Sequence, residues 1–248
     1  MVETTFAIFI FIFGILIGSF LNVVIYRIPK GESIVFPSSK CQSCQTPLKW
    51  YHNIPIFSWL FLRGKCGFCS EKISIQYPLI ELATGVMAVA LFYKLGLVWY
   101  LPFVFAVFCL LLALVIIDLK YMEIPDSLNL LALSLAVINP DVLGSIQSAL
   151  MAAGGMALLR YYVTFFIEAD EAMGEGDIIV AGTMGALLGF PHFFYALFIA
   201  AILALVPSMM AKETDTAVPF VPFLAMGTLI VYLFDNQVDA LVKLIIYG

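Results

Sequence analysis

This sequence predicts an all-α polytopic membrane protein of about eight transmembrane helices with one small extramembrane loop domain. Three observations lead there. Of the 248 residues, 63% are hydrophobic and only 12% charged, too few charges to cover a soluble body of this size, so the bulk belongs in lipid. Seven of the twelve Lys and Arg fall between Arg27 and Lys72, which sets a single polar stretch apart. The remainder is a series of apolar runs with very short connections.

A membrane-crossing helix needs ~20 mostly apolar residues. Residues 4–26 are uncharged and supply the first. With no basic segment before it, Glu3 at its start and no small-residue cleavage site after it, this run reads as an uncleaved span. The polar stretch, 27–76, follows. A second span covers 77–95, with Glu81 near its start and Lys94 placed at its end to snorkel to the interface. A third covers 96–117, directly before Asp118. An unusually short apolar segment, 127–139, leads into Asn139-Pro140-Asp141. A fifth span covers 142–167 and contains Arg160, and an acidic loop, 168–177, comes after it. Residues 178–211 are uncharged and too many for one helix; Gly189-Phe190-Pro191-His192 breaks them into a hairpin. The last span is 216–234, and 235–248 form an amphipathic tail suited to the membrane interface. The chain thus divides into a first span, 1–26, a loop domain, 27–76, and a multi-span core, 77–248.

The Lys/Arg asymmetry places the 27–76 loop in the cytoplasm. Alternation of spans then puts 118–126, 168–177 and 212–215 on the same side, so Asp118 and Asp177 share the cytoplasmic face. The short segments 127–139 and 178–190 each begin just after an acidic stretch. The acids are therefore expected slightly inside the membrane boundary, in a water-accessible recess. A net charge of −5 without a long basic run gives no sign of a nucleic-acid partner.

Four of the five cysteines form the pairs Cys41-Gln-Ser-Cys44 and Cys66-Gly-Phe-Cys69, with 21 residues between them. Four thiolates satisfy tetrahedral zinc, and two such pairs are the usual way of supplying them. A cytoplasmic loop keeps thiols reduced, which disfavours stable disulfides. A domain of ~50 residues has a thin core that a metal would strengthen. A thiol-redox pair is the competing reading. A small cytoplasmic zinc-binding loop domain of this kind supports a fold and does not by itself name a function. Cys109, inside an apolar span, reads as a small buried hydrophobe.

The second constellation is acidic. Asp118 stands in Ile117-Asp118-Leu119-Lys120, shortly before Ile124-Pro125-Asp126, and Asp177 closes Met173-Gly174-Glu175-Gly176-Asp177. Carboxylates at a membrane boundary are expensive and mark function. Glu123, Glu168, Asp170, Glu171 and Glu175 read as loop acids in water. Asp126, just before Ser127, reads as the N-cap of the short fourth helix. Gly174 and Gly176 permit unusual dihedrals or close approach in the turn that opens the helix after Asp177. Asp118 follows the C-terminal end of the third span, where the helix dipole favours the neutral acid; Asp177 opens the sixth, where it favours the carboxylate. Such a pair suits peptide hydrolysis, with one ionised carboxylate taking a proton from water and one protonated partner polarising the carbonyl. Serine and cysteine mechanisms lack a partner, because the only histidines, His52 and His192, lie in the Cys-rich loop and in the hairpin turn on the opposite face. A non-enzymatic zinc-ribbon assembly factor accounts for the cysteines and leaves the acids unused.

The residues also resemble bacterial type IV prepilin peptidases, which act as both leader peptidase and N-methyltransferase. The likeness runs through Gly18-Ser-Phe-Leu-Asn-Val-Val-Ile-Tyr-Arg-Ile-Pro29, both cysteine pairs, Asn53-Ile-Pro55, Ser58-Trp-Leu60, Leu62-Arg-Gly-Lys-Cys66, Tyr77-Pro78 and Glu81-Leu82. It continues through Asp118, Ile124-Pro125-Asp126, residues 174–177 and Pro219-Phe220-x-Pro222-Phe223. The chain departs from the family pattern at Gln76, Ile179 and Val221, where Arg, Lys and Gly are common. The resemblance implies a multi-pass enzyme of the bacterial inner membrane. It implies cleavage of prepilins or pseudopilins on the cytoplasmic side, after a glycine, and methylation of the new N-terminus with S-adenosylmethionine. It makes Asp118 and Asp177 the catalytic aspartates, with Gly174, Gly176 and Asp126 as supporting motif residues, and Cys41, Cys44, Cys66 and Cys69 the metal ligands. No glycine-rich Rossmann turn is present for the methyl donor, whose site would be built differently, between the zinc loop and the first two spans. A peptidase without methyl transfer is the nearest alternative.

Overall fold

The computed structural model describes residues 2–167, 174–210 and 219–247. Glu168, Asp170 and Glu171, the 212–215 connection and the start of the last expected span lie outside them. Among the described residues there is no strand, only helices and two isolated bridges, and the chain divides into a unit over Met1–Leu101 and a unit over Pro102–Gly248.

In the first unit, α1 (Val2–Arg27) and α3 (Gln76–Leu95) lie side by side. Gly14 and Gly18, one turn apart, make this approach possible. A Cβ at Gly14 would stand 2.8 Å from the Gly85 Cα; one at Gly18 would overlap the Thr84 hydroxyl and come within 2.7 Å of the Glu81 Cα. Small residues at this spacing let two helices meet in lipid, where apolar side chains alone give them no reason to associate. Asn22 fastens the pair, its amide donating to the carbonyls of Gly18 and Tyr77 at 3.2 Å each. The buried guanidinium of Arg27 donates to the carbonyls of Ser33 and Pro37, turning the chain into the loop. That loop carries the short helix α2 (Phe57–Phe61) and is tied to α3 where the Ile56 N–H donates to Glu81 Oε2 at 2.7 Å.

The second unit contains α4 (Leu101–Tyr121), α5 (Asp126–Ala136), α6 (Val142–Ile167), α7 (Glu175–Leu188), α8 (His192–Met210), α9 (Val221–Leu233) and α10 (Asp235–Tyr247). Helix α7 is its centre: it packs against α5, α6, α8 and α9, and Val180 to Ala186 are all buried. Gly185 permits the contact with α6, since a Cβ there would meet the Ala152 Cβ and the Ser148 carbonyl at 2.6 Å. Ser145 of α6 donates to the Ala186 carbonyl at 3.0 Å. Gly227 of α9 likewise lies against the Ala196 carbonyl of α8.

Among the described residues, each of the eight expected apolar segments forms a helix, though not all are long enough to be candidate spans. Five (α1, α3, α4, α6 and α8) are long and apolar enough to cross a membrane, or six if the bent pair α9–α10 counts as one. Helices α5 and α7 have 11 and 14 residues, which at ~1.5 Å per residue falls well short of a ~30 Å hydrocarbon core. The third helix runs on past residue 117, so Asp118 lies inside α4 rather than after it. The hairpin break is as expected: Gly189, at φ +65, ends α7, and α8 starts at His192. The last expected span shortens to α9, and the chain then turns by 93° into the amphipathic α10. His192, at the start of α8, has its Nε2 3.1 Å from Asp239 Oδ1 of α10.

Candidate functional site

Asp118 and Asp177 are buried, 5% and 6% exposed, a state carboxylates avoid unless partnered. Asp118 lies in the last turn of α4, and its carboxylate accepts the backbone N–H of Val221, the first residue of α9. Asp177 lies in the first turn of α7, and its Oδ2 accepts the Gly174 N–H at 3.2 Å. Both carboxylates therefore sit at helix N-termini, where free N–H groups and the dipole favour negative charge. The expectation for Asp118 considered only the end of its own helix; the start of α9 adds a peptide N–H to its carboxylate. The two acids act on one another electrostatically. Asp118 Oδ2 and Asp177 Oδ1 are buried and have no hydrogen-bond partner among the described residues. Each acid thus has one oxygen held and one available for a proton.

The turn before Asp177 depends on its two glycines unequally. Gly174 adopts φ −67 and ψ 149, open to any residue, and a Cβ there would meet only Asp177 Oδ2 at 3.5 Å. At Gly176 a Cβ would come within 2.6–2.9 Å of three side-chain atoms of Ile124. The Ile124-Pro125-Asp126 stretch thus presses on the turn that carries Asp177. Asp126 itself is exposed and is the first residue of α5; Pro125 occupies the cap position and no side-chain cap bond forms. The N-cap reading is corrected accordingly, because the extended ψ of 119 at Pro125 already starts the helix one residue earlier. Glu123 and Glu175 are exposed, as expected, and Glu175 gives Arg160 an ion pair at 3.2 Å. Sequence reasoning passed over Asn129, which is fully buried and donates from Nδ2 to the Gly176 carbonyl at 2.9 Å. Its only signal was a lone amide inside a short apolar helix.

The Sγ atoms of Cys41, Cys44, Cys66 and Cys69 all lie within 4.8 Å of one another. The two pairs are built alike. The amides of Cys41 and Cys66 bond to the carbonyls of Thr46 and Glu71, and bridges join Lys40 to Pro47 and Lys65 to Lys72. Gln45 and Ser70, each after the second cysteine of its pair, take the left-handed conformation at φ 57 and φ 61. Cys41 and Cys69 are 3.9 Å apart at sulfur, close to the ~3.8 Å edge of a tetrahedron with ~2.3 Å metal–sulfur bonds. Hydrogen bonding to the Thr46 side chain and backbone lowers the Cys44 thiol to about 6. At Cys69 the Glu71 backbone favours the thiolate, but burial and the neighbouring thiols outweigh it and push this group up to about 12. A bound cation would reverse that balance. The donor set and spacing fit a tetrahedral metal. His52 is not in the cluster; its ring packs edge-on against Tyr51 and Phe68.

Comparison with known proteins covers both units. Residues 12–95 match the Bacterial Peptidase A24 N-terminal domain, and residues 103–209 match the Type IV leader peptidase family. The chain is 37% identical to a prepilin leader peptidase/N-methyltransferase of Myxococcus xanthus, over 86% of this chain and 66% of that protein. It is 32% identical to one of Stutzerimonas stutzeri, over 92% and 91% of the two chains, and 34% identical to one of Neisseria gonorrhoeae, over 81% and 80%. No solved structure matches it.

Proposed function

The chain belongs to the type IV leader peptidase family, and from that premise we propose that it is an aspartyl endopeptidase using Asp118 and Asp177. The observation that carries this reading is the pair itself: two buried, mutually interacting carboxylates, each with one oxygen held by a peptide N–H and one free. Two carboxylates that act on one another favour a state in which one is ionised and the other protonated. The ionised member takes a proton from the attacking water while the protonated member hydrogen-bonds the scissile carbonyl. The proton gained is then passed to the leaving amine as the tetrahedral intermediate collapses. Burial strengthens both interactions by keeping competing water away.

The substrates are prepilins or pseudopilins, cut after a glycine at the cytoplasmic edge of their hydrophobic stem. The new N-terminus is then methylated with S-adenosylmethionine as co-substrate, in keeping with the names of the relatives. Both acids belong to the second unit, so methyl transfer is assigned to the first, between the Cys loop and α1–α3. Cys41, Cys44, Cys66 and Cys69 hold a structural zinc that folds the 27–76 loop domain. The basic loop faces the cytoplasm, the acids open to the same side, and the protein resides in the bacterial inner membrane.

Incubating purified enzyme with a prepilin and measuring intact mass reads leader loss and methyl gain together. Asp118→Asn and Asp177→Asn are nearly isosteric, so each should insert in the membrane yet release no leader. Wild-type leader release by either variant means the dyad is misassigned. Leader loss without added methyl by the wild-type protein leaves a peptidase alone.

A further inference from the structure

Asn129 is fully buried on α5, and its Oδ1 has no hydrogen-bond partner among the described residues. An orphaned buried amide oxygen is unfavourable, and an apolar side chain would avoid it. Stability alone therefore gives no reason for an amide at this position. Its other end has a specific contact: Nδ2 donates to the Gly176 carbonyl at 2.9 Å.

Gly176 is gripped a second time by Ile124, whose side chain fills the space a Cβ would need. Both grips come from residues 124–129. The same stretch of chain starts from Asp118, whose carbonyl accepts the Met122 N–H at 2.9 Å as Met122, at φ 55, turns the backbone out of α4. One short segment thus carries the first acid at its beginning and holds the backbone directly before the second.

We infer that Asn129 is a positioning residue of the peptidase site, fixing the first turn of α7 through the Gly176 carbonyl and so setting the Asp177 carboxylate relative to Asp118. The inference rests on the reading of Asp118 and Asp177 as the catalytic pair. Asn129 touches neither the water nor the scissile bond; it acts through the backbone that carries Asp177.

The test compares Asn129→Leu, which keeps the branched skeleton and removes the donor, with Asn129→Asp, which keeps shape and puts an acceptor opposite the Gly176 carbonyl. Prepilin cleavage and thermal stability are measured on the purified full-length proteins. Misplacing a catalytic group by a fraction of an ångström should lower kcat about 10–100-fold in both variants, with KM within about twofold of wild type. In Asn129→Leu the fall in kcat should be out of proportion to any change in melting temperature, a split that a merely structural residue does not produce. Wild-type kcat in Asn129→Leu overturns the inference, and so does a fall in kcat that tracks a loss of stability. Asp118→Asn and Asp177→Asn are assayed alongside. If they are inactive while Asn129→Leu is not impaired, only the positioning role falls; if they cleave normally, the dyad reading and this inference fall together.

Discussion

Gly176, directly before Asp177, has no room for a side chain. An alanine there would bring a methyl within 2.6–2.9 Å of Ile124, inside van der Waals contact, and Ile124 is braced by the proline that follows it. Gly176→Ala should slow leader release at least about tenfold, since displaced catalytic groups lose rate steeply. Trimming the obstruction with Ile124→Ala should restore part of the rate in the double variant, a coupling that a double-mutant cycle measures. Gly174→Ala, with ordinary dihedrals and open space, should stay near wild type; equal damage from both glycines would contradict the steric account. The sequence made the two glycines look alike, because Gly-x-Gly-Asp records residue types and not which neighbour leans on them. Asp118 and Asp177 were legible for a stronger reason: charge in an apolar chain is costly wherever it occurs. Asn129 was not, since one uncharged amide in an apolar run carries no comparable penalty.

Among the elements, hydropathy located each of the apolar helices but misjudged some of their ends, and it gave no sign of the short α2 in the loop. Helix α4 continues through Asp118 and α7 begins before Asp177. A carboxylate satisfied by peptide N–H groups can lie inside a helix that a simple count of charges would end. The short helices α5 and α7 were recognisable as short, yet only their packing shows α7 as the buried centre of its unit. The Gly14 and Gly18 stripe was equally open to reading and sets the α1–α3 contact. Gly18→Leu drives a large side chain into the Thr84 hydroxyl and the Glu81 backbone and should destabilise the first unit by about 1–3 kcal/mol or more. Thermal denaturation in detergent checks this, and unchanged melting would show that the helices separate without cost. At the Cys-x-x-Cys turns, spacing alone forecast a cluster, which the repeated hydrogen bonds and left-handed residues explain. Replacing Cys44 and Cys69 together by Ser should reduce bound zinc from one per chain to none and make the 27–76 loop sensitive to protease. Full protease resistance without metal would show that the cysteines do not depend on it.

For the molecule as a whole, the division into two units bears on how two activities share one chain. The paired acids, the clasp on Gly176 and the buried α7 all belong to the second unit. The four cysteines, the basic loop and the glycine-packed helices α1 and α3 belong to the first. Each unit has its own close-packed helix contacts, so a lesion in one need not unfold the other. Metal loss removes folding energy only from the domain it staples. Chelation, or the Cys44→Ser/Cys69→Ser variant, should therefore depress methylation of the cleaved product more than it depresses cleavage. The two effects separate in a single experiment: with prepilin as substrate, intact mass should show leader-free protein accumulating without its added methyl. Wild-type metal-loaded enzyme should show little of this intermediate. The opposite result, normal methylation of a pre-cleaved pilin with cleavage lost, would assign the Cys loop to the peptidase reaction and move the functional boundary away from the structural one.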